Sequence, residues 1–105
     1  MGKFLIESMP TDLARSKNKD YQENLMQCRK SLYVFLYKSG LLLTNPLNSD
    51  ESLSRTLEIY STDLTPAGLN LFRKPVQAWY KARSKDRNYA NLTILEKAIS
   101  IGDLN

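Results

Sequence analysis

The side chains best suited to chemistry in this chain lie between Arg73 and Tyr89. Arg73, Lys74, Lys81, Arg83, Lys85 and Arg87 stand there against a single acid, Asp86, with Tyr80 and Tyr89 interleaved. Arginine and tyrosine are favoured as anchors of protein interfaces, and the same pair can stack on bases and neutralise phosphates. Tyr80, Lys81, Arg83, Lys85, Arg87 and Tyr89 are therefore the candidate partner-binding residues. The plain alternative is a solvated helix end followed by a loop. An acidic stretch balances the basic one: Asp50, Glu51, Glu58 and Asp63 against Arg55. The surface is expected to be polarised, and the positive part would dock an acidic partner or phosphates.

The rest of the sequence mainly excludes chemistry. There is no histidine, so Ser-His and Cys-His nucleophile pairs and His-based metal sites are ruled out. Tyrosine, lysine and carboxylates can serve as acids or bases, but no pair of them stands at a motif spacing. Gly2, Gly40, Gly68 and Gly102 are dispersed and read as helix punctuation, not as a phosphate-binding loop. The expectation is a protein that is not an enzyme and uses no cofactor or metal. Cys28 is the single cysteine, so no disulfide can form within the chain, which favours a reducing, cytoplasmic setting. Cys28 itself is expected to fill a helix's apolar face. Phe4-Leu5-Ile6 is shorter than the ~7–15 apolar residues of a secretory signal. The apolar run from Leu32 to Leu43 is broken by Lys38 and Gly40, well short of the ~20 residues that span a bilayer. Asn91-Leu92-Thr93 matches a glycosylation sequon but reads better as a helix start.

These residues need elements to hold them. The chain has 105 residues, 42% hydrophobic and 25% charged, with a formal net charge of +4, and it fits one soluble domain over 1–105. Tyr21, Leu25, Cys28, Leu32, Phe35 and Leu36 recur at helical spacing and predict a central helix over 20–39, widened by Tyr33 and Tyr37, with Asp20 as N-cap and Gly40 as terminator. Thr44 to Ser49 is a loop. Leu53, Leu57 and Tyr60 predict a helix over 50–62; a strand over 56–60 is the alternative. Thr65 caps a helix with Pro66 at its first position, and Pro75 interrupts it near Lys74. That helix spans 66–84 and buries Leu69, Phe72, Val76 and Trp79. Thr93 to Glu96 fits a capping box for a last helix over 92–101, ended by Gly102. At the N-terminus Phe4-Leu5-Ile6 reads as a short strand or an apolar arm, and Thr11 as the cap of a short helix. The fold class is mainly α, a compact bundle of about four to five helices with a short N-terminal strand as an option. Leu32, Phe35, Leu36, Leu57, Phe72, Val76, Trp79 and Leu95 are the expected core.

Leu64-Thr65-Pro66-Ala67-Gly68-Leu69-Asn70-Leu71-Phe72, followed by Trp79, Lys85-Asp86-Arg87 and Leu95-Glu96-Lys97-Ala98, resembles the C-terminal half of small bacterial proteins. Some of those look like immunity proteins encoded beside polymorphic or contact-dependent toxins. The resemblance implies a cytoplasmic protein that binds and blocks a cognate toxin domain, with no catalytic residue to carry over. The basic balance departs from the acidic surface often seen in proteins that neutralise nucleases. Leu64 to Gly68 also looks like the strand-to-helix junction after the wing of some winged-helix regulators. That makes nucleic-acid binding through 73–89 the second reading.

Overall fold

A computed structural model describes residues 2–100. Strand β1 (Leu5–Ser8) runs directly into helix α1 (Met9–Leu13). Ser8 makes this switch: its hydroxyl accepts from the Thr11 N–H and donates to the Glu58 carboxylate. The cap of α1 is thus Ser8, not Thr11, and Leu5 and Ile6 belong to a strand, not a loose arm. β1 pairs antiparallel with β2 (Glu58–Tyr60), matching Leu5 to Tyr60, Glu7 to Ile59 and Ser8 to Glu58, with a bulge between Leu5 and Glu7.

Helix α2 (Lys19–Lys38) is the long central helix that its apolar stripe predicts. Its cap is Asn18, two residues earlier than expected: the Asn18 Oδ1 accepts from Asp20 N and Tyr21 N at 2.8 and 3.2 Å. Asp20 sits instead in the first turn, where its charge favours the helix dipole. Gly40 takes φ +77°, the left-handed conformation that ends a helix at no steric cost.

No helix forms over 50–62. Asn48 to Ser52 close a tight turn in which Asn48 N donates to Ser52 O and the Asp50 Oδ1 accepts from the Ser52 N–H and hydroxyl. Short polar side chains that bond nearby backbone compete with the helix in this way. Leu47 and Leu53 face each other across the loop as an isolated bridge, and the strand alternative wins beyond it as β2. A 3-10 turn (Ser61–Asp63) then leads to helix α3.

α3 (Pro66–Arg73) and α4 (Pro75–Asp86) meet at Lys74, because Pro75 cannot continue the hydrogen-bond ladder. Thr65 caps α3, its Oγ1 accepting from Gly68 N at 3.0 Å. α5 (Thr93–Ser100) follows. Its start is capped from Asn91, whose Oδ1 accepts from Thr93 N at 3.1 Å; the Thr93–Glu96 box is not the device used. Gly102 and position 101 lie outside the described residues.

Leu32, Tyr33 and Leu36 of α2 pack with Met9, Ile59, Leu71, Phe72, Val76, Trp79 and Leu95 in one buried cluster. Full burial of each large apolar side chain contributes roughly 1.5–3 kcal/mol. Phe35 and Leu57 are only partly buried, since Tyr33 and Ile59 occupy the interior positions of their elements. No helix among the described residues is long and apolar enough to cross a membrane.

Candidate functional site

Elements meet where β1, α1, α2 and α4 converge, and a polar knot lies there. The pleat of β1 turns Glu7 inward. Arg29 and Tyr33, four residues apart, project from the same face of α2. Tyr80 arrives from α4 and Asp12 from α1. The Tyr33 hydroxyl donates to Glu7 at 2.5 Å, and the Tyr80 hydroxyl reaches both Glu7 oxygens at 2.9 and 2.7 Å. The Arg29 Nη1 lies 2.7 Å from Asp12 and 3.6 Å from Glu7, with the Glu7 side chain only 10% exposed. Burial raises the Glu7 carboxyl above its ordinary value, against the lowering effect of Arg29 and the two tyrosine hydroxyls. Burial likewise pushes the Tyr33 and Tyr80 hydroxyls well up, reinforced by the Glu7 charge. The Arg29 guanidinium sits over the Tyr80 ring, 5.1 Å from its centroid, and its buried Nε has no partner among the described residues.

Arg29 and Tyr80 are also part of the wall of a cleft of about 650 Å³ between the first half of α2 and the end of α4. Tyr21, Leu25 and Cys28 continue the α2 side, while Ser84 and Arg87 continue the α4 side, and Tyr89 closes it from the loop beyond. Much of the polar lining is already engaged. The Tyr21 hydroxyl donates to Asp12 O, Tyr89 to Asn24, and Ser84 to Lys81 O. Cys28 is half-buried, and burial pushes its thiol up to about 11, so the neutral thiol dominates at neutral pH.

The six candidate residues divide into two sets. Lys81, Lys85 and Arg87 are exposed on the end of α4. Tyr89 is half-buried at the cleft. Tyr80 and Arg83, expected to face outward, do not. The Tyr80 hydroxyl is held inside by Glu7, leaving only its ring to the cleft. Arg83 is 7% exposed: Nη1 donates to Asn91 O at 2.8 Å, while Nε and Nη2 each reach Asp86 at 3.1 Å. The Trp79 indole N–H donates to the same Asn91 carbonyl at 2.7 Å. Val76, Trp79, Tyr80 and Arg83 follow one helical stripe, and the stripe faces inward whatever its charge. Arg83 thus staples the loop between α4 and α5 and is not a docking residue. Asp86 is held below the ordinary carboxylate range by the Asn88 N–H and by Arg83.

Arg87 caps α4 at φ +53°, with its N–H donating to Arg83 O at 2.7 Å. Glycine or asparagine normally takes that left-handed place. Sequence reasoning passed over Glu7, Asp12 and Arg29, and read Tyr33 only as part of an apolar face. The available signal was Arg29 itself, which falls four residues after Leu25 and four before Tyr33 on the buried stripe of α2.

Chemically, the arrangement presents three exposed cations, without an ion pair among the described residues, beside a tyrosine-walled cleft backed by a polar knot whose hydroxyls are turned inward. Among the described residues no three cysteine or carboxylate side chains gather as a metal site would require. Comparison with models of known protein families finds no match, and neither the curated proteins nor the solved structures include one that matches this chain.

Proposed function

We propose that this chain works by stoichiometric binding: the basic end of α4 docks on an acidic surface of a partner protein, and the partner's activity is blocked by occlusion. The observation that carries this reading is the presentation of Lys81, Lys85 and Arg87. All three are exposed, Lys81 and Lys85 on the last turns of α4 and Arg87 at its C-cap. That helix end is fixed by the Arg83–Asp86–Asn91 bonds beneath it. Arg87 also occupies a left-handed position where glycine would be less strained, and strain of this kind is retained more readily where a side chain has a task. Cations carried on a fixed backbone cost less entropy to dock than cations on a mobile loop, and they steer an acidic partner in. The resemblance of 64–98 to immunity proteins supports a toxin-type enzyme in a bacterial cytoplasm as that partner.

The test is co-purification with the product of the neighbouring gene, using the native chain and a variant in which Lys81, Lys85 and Arg87 become Glu. The native chain should form a one-to-one complex that inhibits the partner's activity and weakens with salt. The variant should stay folded and lose the complex. A complex that survives the three reversals, or no complex at all, overturns the proposal.

A further inference from the structure

We propose that the cleft between α2 and the end of α4 is a binding site for a small aromatic anion, a carboxylate or phosphate carried on a planar ring system. This goes beyond protein docking and does not require a protein partner. The hydrogen-bonding groups left over in the cleft are mainly donors. Arg29 spends Nη1 on Asp12 and buries its Nε, while its Nη2 makes no hydrogen bond with a described residue. Hydrogen bonds to a charged donor are the stronger kind, so an anionic acceptor placed against this guanidinium is rewarded. Arg87 supplies a second guanidinium on the opposite wall and makes no ion pair with a described residue. Asp20 is the one acid in the lining, and it is exposed. The donors therefore favour an anion.

The remaining surface selects a ring. Tyr80, Tyr21 and Tyr89 spend their hydroxyls on protein acceptors, so what they show the cleft is aromatic surface. Leu25 and the neutral Cys28 add an apolar floor. The volume of about 650 Å³ lies in the range of small-molecule sites. A ring among the tyrosines with its anion between Arg29 and Arg87 satisfies all of these groups at once.

The side-chain Nε–H of arginine is visible in nitrogen–proton correlation spectra, so Arg29 reports directly. The native chain is titrated with naphthoate, with neutral naphthamide and with adenosine monophosphate. At least one of the two anions should give saturable shifts at Asn24, Cys28 and Ser84, and should shift the Arg29 Nε–H as its guanidinium gains an anion. A response to naphthoate identifies a carboxylate ligand, and one to the nucleotide a phosphate ligand. Naphthamide should bind about tenfold more weakly, as should the successful anion to the Arg87→Gln variant, the scale of one charge-assisted bond. Arg87 is exposed, so that variant should keep the native spectrum elsewhere. The proposal fails if neither anion saturates, if naphthamide binds equally well, if the Arg29 signal stays still, or if Arg87→Gln leaves the affinity unchanged.

Discussion

Glu7 joins the strand to two helices through Tyr33, Tyr80 and Arg29, so its charge state bears on every contact of the knot. Its carboxyl is raised by burial, so the folded state holds its proton more tightly than the unfolded state does. The stability it contributes is therefore fully present below the unfolded value and is lost as pH rises through the folded one. Asp86, lowered by its Asn88 and Arg83 bonds, acts in the opposite sense, but it is exposed and its effect is screened. Replacing Glu7 by Gln removes the first contribution alone. Denaturant unfolding of both proteins should show the native chain's advantage over Glu7→Gln shrinking as pH rises above 4.5; an advantage that grows would contradict the buried placement. Arg83 and Lys85 make a second contrast. Arg83→Ala leaves the Asn91 carbonyl with only the Trp79 indole and opens space beside it, so it should cost about 1–3 kcal/mol. Lys85→Ala, on the exposed side of the same helix, should stay within about 0.5 kcal/mol of the native chain. Equal effects would return Arg83 to the surface.

Elements differ in how far local rules decide them, and α3 is the clearest case. Thr65 as cap, Pro66 at the first position and Pro75 as breaker act within a few residues, so both ends of α3 were legible in the sequence. α2 was legible for the same reason, through its unbroken stripe and Gly40. The segment 50–62 was not. Leu53, Leu57 and Tyr60 satisfy a helical spacing, yet the Asn48–Ser52 turn and the pairing of Ile59 with Glu7 decide its form, and that partner lies more than fifty positions away. The site was half legible. Its exposed cations were apparent from composition, whereas Arg29 and Glu7 take their importance from packing between elements that no local pattern links. Gly68 tests how tightly α3 is seated. A Cβ there would lie 2.6 Å from the Leu41 carbonyl oxygen, which is backbone and also accepts from Thr65 N. Gly68→Ala would normally strengthen a helix. Here it should cost about 1–3 kcal/mol of stability, because the helix must move off the loop that it covers. A rise in thermal midpoint would show that α3 can shift freely.

At the scale of the whole molecule the question is what the net charge of +4 attracts. Long-range attraction brings nucleic acid and acidic proteins alike, but only local geometry holds them. No strand runs into Leu64 to Gly68: β2 ends at Tyr60, a 3-10 turn follows, and β2 pairs with the N-terminal β1 and not with a neighbouring strand in a wing hairpin. With Arg83 spent internally, the end of α4 offers Lys81, Lys85 and Arg87 as cations for phosphates. Each neutralised phosphate contributes about 0.9 to the slope of log affinity against log salt, so three give a slope of about −2.7 on duplex DNA. Such a slope belongs to weak, nonspecific binding that is lost near physiological salt. Fluorescence anisotropy with duplex DNA and single-stranded RNA should therefore show no tight complex at about 0.15 M salt. Replacing Lys81, Lys85 and Arg87 together by Ala should flatten whatever slope is measured at low salt, while replacing Arg83 should change stability and not the slope. Sub-micromolar, sequence-selective binding at physiological salt would reverse the ranking. The same three cations would then be phosphate contacts, and the tyrosine-walled cleft beside them would be read as a place for a base.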